Sequence, residues 1–261
     1  MIKVQKRTAL QIMSATVHAL LMRELKTRFG ANRLGYFWAI AEPVAQASVM
    51  ALIFTLLGRT SVSGIPIALF LFTGILPFKF FSKLIPQIGA AVNANKALFT
   101  YRQVTAIDPI ITRVLIETVT FIVVYVLILG TMAWLGFEVL PDDLLALLAA
   151  CFILLTMAVG IGLLLCCAIT YWPDATKLFA MIMSPMFFIS GILYCATMIP
   201  EQYWYLFSWN PIFHLIELSR DAFFVSYTTP IGDWYFVSFV ALTSIALGLM
   251  AFRINRQRFI N

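Results

Sequence analysis

Long apolar runs separated by short polar clusters dominate this chain. They predict six membrane-spanning helices, at about residues 37–57, 65–92, 109–135, 144–169, 178–199 and 234–252. Each is long enough for the roughly 20 residues needed to cross a hydrocarbon core. Punctuation supports the boundaries. Glu42 and Pro43 sit near the start of the first span, where proline is tolerated in an early helical turn. A short loop is expected over 58–64. Asp108-Pro109 places a capping acid before a proline at the first helical position and so opens the third span. Glu138, Asp142 and Asp143 make the next loop acidic, and Tyr171-Trp172-Pro173-Asp174 reads as a tight turn. The fifth span contains Pro185, and the fourth and sixth carry no charge.

Two stretches follow other patterns. Within residues 1–33, Leu10, Met13, Val17, Leu20, Leu21, Leu25 and Phe29 recur at three- and four-residue steps, with Gln11, Ser14, Arg23 and Lys26 largely on the other side. An amphipathic helix with basic flanks suits the membrane interface. Packing on the chain's own cytoplasmic loops is the alternative. The stretch is too polar for the apolar region of a signal peptide, so no cleaved leader is expected. Residues 201–232 begin with an aromatic, apolar half and continue with Glu217, Arg220 and Asp221. The apolar half is too short to cross, which points to a re-entrant or interfacial helix pair before the last span.

Composition agrees with the pattern. The 261 residues are 62% hydrophobic and 11% charged, with a mean hydropathy of +0.93, whereas soluble domains are about 25% charged. A soluble enzyme and a nucleic-acid-binding domain are therefore excluded as first readings, despite the net charge of +6. The basic residues instead orient the chain. With both termini in the cytoplasm, fourteen of the eighteen Lys and Arg fall in inward segments, Arg59 and Arg220 fall outside, and Lys79 and Lys83 lie within the second span.

The usual chemical motifs are missing. No Gly-x-x-x-x-Gly-Lys-Ser/Thr phosphate loop occurs, so an ATP-driven process needs a separate ATPase chain. Neither a His-Glu-x-x-His nor a Gly-x-Ser-x-Gly sequence is present. Cys151, Cys166, Cys167 and Cys195 read as small packing residues. No catalytic residue and no metal site is expected, and His18 and His214 are read as structural.

Three segments carry a family resemblance. Arg23-Glu24-Leu25-Lys26-Thr27-Arg28-Phe29-Gly30, followed by Arg33-Leu34-Gly35-Tyr36-Phe37-Trp38-Ala39 and Glu42-Pro43, resembles the entry to the first span of ABC-2 type export permeases. Leu98-Phe99-Thr100-Tyr101-Arg102-Gln103-Val104 with Ile107-Asp108 resembles their loop between the second and third spans. Ile199-Pro200-Glu201-Gln202-Tyr203-Trp204, Trp209-Asn210-Pro211 and His214-Leu215-Ile216-Glu217-Leu218-Ser219-Arg220-Asp221 resemble their outer segment before the last span. Together, in this order, they look like the capsular polysaccharide export permeases of Gram-negative bacteria. The resemblance implies an all-α, multi-pass inner-membrane subunit that homodimerises and binds two ATP-binding cassette ATPase subunits, which hold the ATP and Mg. It also implies a periplasmic co-polymerase adaptor, an outer-membrane channel and a lipid-linked polysaccharide substrate. An exporter of O-antigen or teichoic-acid polymer is the nearest rival. A proton-driven secondary transporter is the rival of another class, and it would want acidic residues in the centres of the last three spans, where none occurs.

Against that background the polar residues divide into groups. Lys79 and Lys83, four apart on one helical face inside an apolar segment, are expensive to insert. They are expected either to line a path for an anionic polymer or to snorkel to the cytoplasmic headgroups. Tyr203, Trp204, Tyr205 and Trp209 are either an aromatic belt or sugar-stacking residues on the exit path. Residues 93–108 are the candidate coupling segment, with Asn95, Phe99, Tyr101 and Arg102 as ATPase contacts; an ordinary solvated loop is the alternative. Arg23, Lys26, Arg28 and Arg33 anchor the N-terminal helix or frame a cytoplasmic entry and touch lipid phosphate. Arg113 with Glu117, and Glu217 with Arg220, are expected as local structural pairs at helical spacing.

Overall fold

The computed structural model describes residues 8–29, 35–101 and 103–260. It is built almost wholly from α-helices. In chain order these are α1 (Ala9–Phe29), α2 (Gly35–Leu56), α3 (Ile67–Gly89), α4 (Ala91–Ala94), α5 (Asp108–Trp134), α6 (Leu144–Tyr171), α7 (Ala175–Ile189), α8 (Pro211–Phe223) and α9 (Trp234–Ile260). Four of them, α3, α5, α6 and α9, are long and apolar enough to cross a membrane. The apolar part of α2 (Ala41–Leu56) and α7 are shorter.

Helix α3 is the hub. In its most apolar window 78% of the residues are buried, against 22–33% for the other three long helices. It therefore reads as a helix surrounded by protein, and the others keep one face toward lipid. The tightest crossing joins α6 to α9. A Cβ on Gly160 would lie 2.4 Å from the carbonyl carbon of Ser244, and one on Gly248 would lie 2.5 Å from the Gly160 oxygen. The two backbones touch, which suits a bilayer, where helices associate by close van der Waals packing of small residues.

Several boundaries differ from the sequence pattern. Helix α7 ends at Ile189 rather than running to 199, because Gly191 adopts φ +71° and turns the chain. The ring of Phe213 closes over that turn, and a Cβ on Gly191 would lie 2.7 Å from it. The expected loop at 58–64 holds half of a small hairpin, in which β1 (Ser61–Val62) pairs antiparallel with β2 (Ile65–Pro66). Its two turn residues, Ser63 and Gly64, both have positive φ, as a tight hairpin turn requires. Helix α9 continues past residue 252 and carries Arg253, Arg256 and Arg258 on its last turns. There Arg258 lies over the Tyr171 ring, and the Tyr171 hydroxyl donates to Asn255.

Helix α8 is 13 residues long and mostly buried. At about 1.5 Å per residue it is far too short to cross. Asn210 starts it by accepting from the Ile212 N–H at 3.0 Å, with Pro211 at the first helical position. Helix α1 packs on α5, where Glu24 meets Arg113; Val17 and Leu20 are buried, while Leu10, Met13 and Met22 stay exposed. Packing on the chain itself thus accounts for its buried face. Residues 1–7 and 30–34 lie outside the described residues.

Candidate functional site

A cavity of about 550 Å³, lined by four ionisable side chains, is bounded by α2, α3, α5 and α7. Helical spacing brings its charges together. Glu42 and Gln46 fall on one face of α2, Lys79 and Lys83 on one face of α3, and Glu117 and Thr120 on one face of α5. Ser82 and Ser184 add hydroxyls. Phe121 and Phe187 supply aromatic wall, the latter edge-on to Phe78 with centroids 5.4 Å apart.

Both lysines are paired. Lys79 donates to Glu42 across the α2–α3 gap. Lys83 lies 3.3 Å from Glu117 of α5. All four residues line the cavity, but the two pairs expose opposite ends. In the first, the Glu42 side chain is 73% exposed and the Lys79 side chain 26%. In the second, the Lys83 side chain is 54% exposed and the Glu117 side chain 4%. Lys83 is thus the more accessible cation, and at Lys79 the carboxylate is the more accessible partner.

The wall at Phe80 separates this cavity from a different space. The rings of Phe80 and Phe121 lie 4.5 Å apart, and both also line an apolar groove of about 360 Å³ between α5 and α6. Tyr125, Leu147, Cys151 and Phe152 are among the residues lining the groove.

At the other polar junction, α1 meets the segment after α3. Arg23 donates to the side-chain oxygen of Asn95, whose amide donates to the Ala91 carbonyl at 2.8 Å. Asn95 is 2% exposed, so it joins α1 to this segment and is no surface contact, contrary to the sequence expectation. Phe99 is half-buried against the core. Lys96, Thr100 and Tyr101 are exposed and form the outer side of the turn over Lys96–Thr100. Arg102 and Arg33 lie outside the described residues, as does the side chain of Arg28. Lys26 is exposed on α1.

Arg113 and Glu117 do not form the expected local pair. Arg113 Nε donates to Glu24 of α1 at 3.1 Å, and its Nη1 donates to the Gln87 carbonyl at 2.6 Å, while Glu117 meets Lys83. The reason is burial. Both residues face neighbouring helices, and long-range partners meet them head-on where the i,i+4 neighbour does not. Removing one partner of a buried pair leaves an uncompensated charge, at a cost of about 3–5 kcal/mol. Glu24→Ala is therefore expected to lower the melting temperature of the detergent-solubilised protein markedly. The charge swap Glu24→Arg with Arg113→Glu is expected to recover part of the loss; a swap no better than the single change would show that the contact contributes nothing.

A second charged cluster is fully enclosed. Arg220 Nη1 donates to the carbonyls of Gly191 (2.6 Å) and Tyr194 (3.1 Å) and to Glu217 (3.5 Å). Its Nη2 donates to Ile192 (3.0 Å) and Phe70 (3.4 Å), and the guanidinium lies 3.8 Å from the Phe70 ring centroid. Glu217 also accepts from the Tyr227 and Thr229 hydroxyls and the Ala196 N–H. Burial pushes the Glu217 carboxyl above the usual range; Arg220, Tyr227, Ala196 and Thr229 pull it back. Arg220 is therefore an interior clamp joining α8, α3 and the 190–196 turn, and no outward charge. His214 is structural in the same region, with Nε2 2.8 Å from the Ser208 carbonyl and Nδ1 accepting from the Asp233 N–H at 3.3 Å.

The structure does not bring the outer aromatics to the lysine cavity. Tyr203, Trp204 and Tyr205 lie on a 3₁₀ turn (Glu201–Leu206), and Trp209 follows it. The indole of Trp204 donates to Ile199 (2.9 Å) and that of Trp209 to Leu206 (2.6 Å). Tyr203, Tyr205 and Trp209 are exposed. Sequence reasoning missed Glu42, Gln46, Thr120 and Ser184 as companions of the lysines. A usable signal was present for the first two: polar residues four apart on an otherwise apolar helix face.

Comparison with known proteins adds the family context. A family model described as ABC-2 type transporter matches residues 15–224. The polysialic acid transport protein KpsM of Escherichia coli is 34% identical over 252 residues, covering 96% of this chain and 97% of that protein. The capsule polysaccharide export inner-membrane protein CtrC of Neisseria meningitidis serogroup A is 28% identical over 242 residues, 92% and 91% of the two chains. The O-antigen export system permease protein RfbA of Klebsiella pneumoniae is 25% identical over 250 residues, 91% and 90% of the two.

Proposed function

Because this chain belongs to the ABC-2 type transporter family, we propose that it is the membrane permease of an ATP-driven exporter of capsular polysaccharide. The end-to-end similarity to KpsM, stronger than that to the O-antigen permease, carries the choice of polymer. The chain crosses the inner membrane six times with both termini inside, α2 and α7 completing the set of four long helices. Its fourteen inward-facing basic residues support that orientation. Two copies form the path, and two ATPase subunits supply the energy that a chain without a phosphate loop cannot. A periplasmic adaptor and an outer-membrane channel continue the route.

The charged cavity supports the transport reading. Four ionisable side chains in apolar helices are costly to insert, and such residues mark substrate pathways more often than packing. Lys83, the exposed cation, meets the acidic groups of a passing polymer first. The exposed Lys96, Thr100 and Tyr101 face the ATPase, and Arg23 with Asn95 ties that surface to α1. The permease performs no covalent step. It supplies a polar passage with contacts weak enough for a long chain to slide.

The test uses the permease with its ATPase partner in sealed vesicles. Movement of acidic polymer is expected to require ATP hydrolysis; movement on a proton gradient alone would overturn the reading. Replacing Lys79 and Lys83 together with methionine is expected to cut transport of acidic polymer by about tenfold, as removal of cations from a low-dielectric passage should, while the complex still assembles. Undiminished transport would make the lysines headgroup anchors.

A further inference from the structure

Lys79 and Lys83 are four residues apart, about 6 Å along the α3 axis. Two bare ammonium groups at that spacing in a low-dielectric cavity would grip successive acidic groups of a polymer. A translocation path requires release as much as capture. The asymmetry of the two ion pairs answers this need. At Lys83 the ammonium faces the cavity and its carboxylate partner is buried. At Lys79 the order is reversed: both residues line the cavity, but the Glu42 carboxylate is the exposed member of the pair and the lysine the more buried one.

We propose that Glu42 is a specificity-determining residue that acts as a built-in counter-ion. It occupies Lys79 in place of a substrate anion, so that an acidic polymer engages one cation at a time. The inference rests on the reading of this cavity as part of the polymer path. The remaining polar groups, Gln46, Ser82, Thr120 and Ser184, are uncharged and accept or donate to sugar hydroxyls without sorting polymers by charge. Charge discrimination therefore belongs to the four ionisable side chains, and among these Glu42 is the exposed acid. Removing its charge frees Lys79 and converts a sliding surface into a gripping one.

The experiment measures binding of two labelled oligosaccharides of equal length, one acidic and one neutral, to the full permease with its ATPase in lipid nanodiscs. Glu42→Gln is expected to tighten the acidic oligosaccharide on the order of tenfold, the effect of one uncancelled charge at this range, with the neutral one changed less than twofold. Polymer export by the same variant is expected to slow. Unaltered acidic affinity in a folded Glu42→Gln protein, or equal tightening of both oligosaccharides, overturns the proposal and leaves the path reading standing. Failure of the wild type to bind either oligosaccharide overturns both. Where Glu42→Gln does not accumulate, Glu42→Gln with Lys79→Met removes both charges and is expected to bind the acidic oligosaccharide as the wild type does; a change beyond threefold overturns the proposal.

Discussion

Arg220→Ala is expected to stop the chain from accumulating as folded protein. The side chain is fully buried and donates to four backbone carbonyls as well as to Glu217. Its removal leaves the Glu217 carboxylate unpaired in the interior, at about 3–5 kcal/mol. Each carbonyl left without a donor adds about 1–3 kcal/mol. Set against a total stability of about 5–15 kcal/mol, this is enough to unfold a typical domain. Arg220→Lys should fail nearly as badly, because an ammonium has three donors and cannot reach partners spread over the planar guanidinium fork. A second change separates charge from hydrogen bonding: Glu217→Gln in the Arg220→Ala background removes the unpaired carboxylate and should restore part of the stability. Thermal melting and limited proteolysis in detergent give the answer. A melting temperature for Arg220→Ala within a few degrees of the wild type would mean that water replaces the lost donors and that the cluster is not closed.

Gly160→Val should be comparably severe by a different route. The new Cβ would meet the backbone of Ser244 and Ile245, at 2.4 and 2.5 Å. No side-chain rotation relieves a clash with backbone, so α6 and α9 must separate along the crossing that Gly248 shares. Overpacking of this kind costs about 1–3 kcal/mol when neighbours can yield and more when they cannot. Gly130 is the internal control, since nothing lies within 4 Å of a Cβ built there. Gly130→Ala should match or slightly exceed the wild type in melting temperature, as alanine favours helix by about 1 kcal/mol. If the two variants melt alike, the α6–α9 contact is not a tight one.

These positions show what the sequence revealed and what it hid. Apolar runs located the long helices because a bilayer imposes length and composition together. Asp108-Pro109 marked the start of α5, although Asp108 lies within its first turn, where the carboxylate accepts from the Thr105 N–H, and is not the expected cap. The end of α7 was not legible, since it depends on Gly191 taking a positive φ beneath a ring from α8. The lysine cavity was half legible. Two cations on one apolar face announced it, but their partners come from helices 37 and 34 residues away in the chain. Arg113 shows the same limit: helical spacing offered Glu117, and the fold gave it Glu24 from α1. Local geometry states which pairs are possible, and tertiary packing chooses among them.

The tilted rings of Phe80 and Phe121, 4.5 Å apart, belong to two spaces at once. One is lined by four ionisable side chains and the other almost wholly by apolar ones. The pair is thus a party wall, one ring thick, between a room that suits charge and a room that suits oil. Whatever seats against it on the apolar side, a lipid tail or a neighbouring helix, leans on the same two rings that border the lysines.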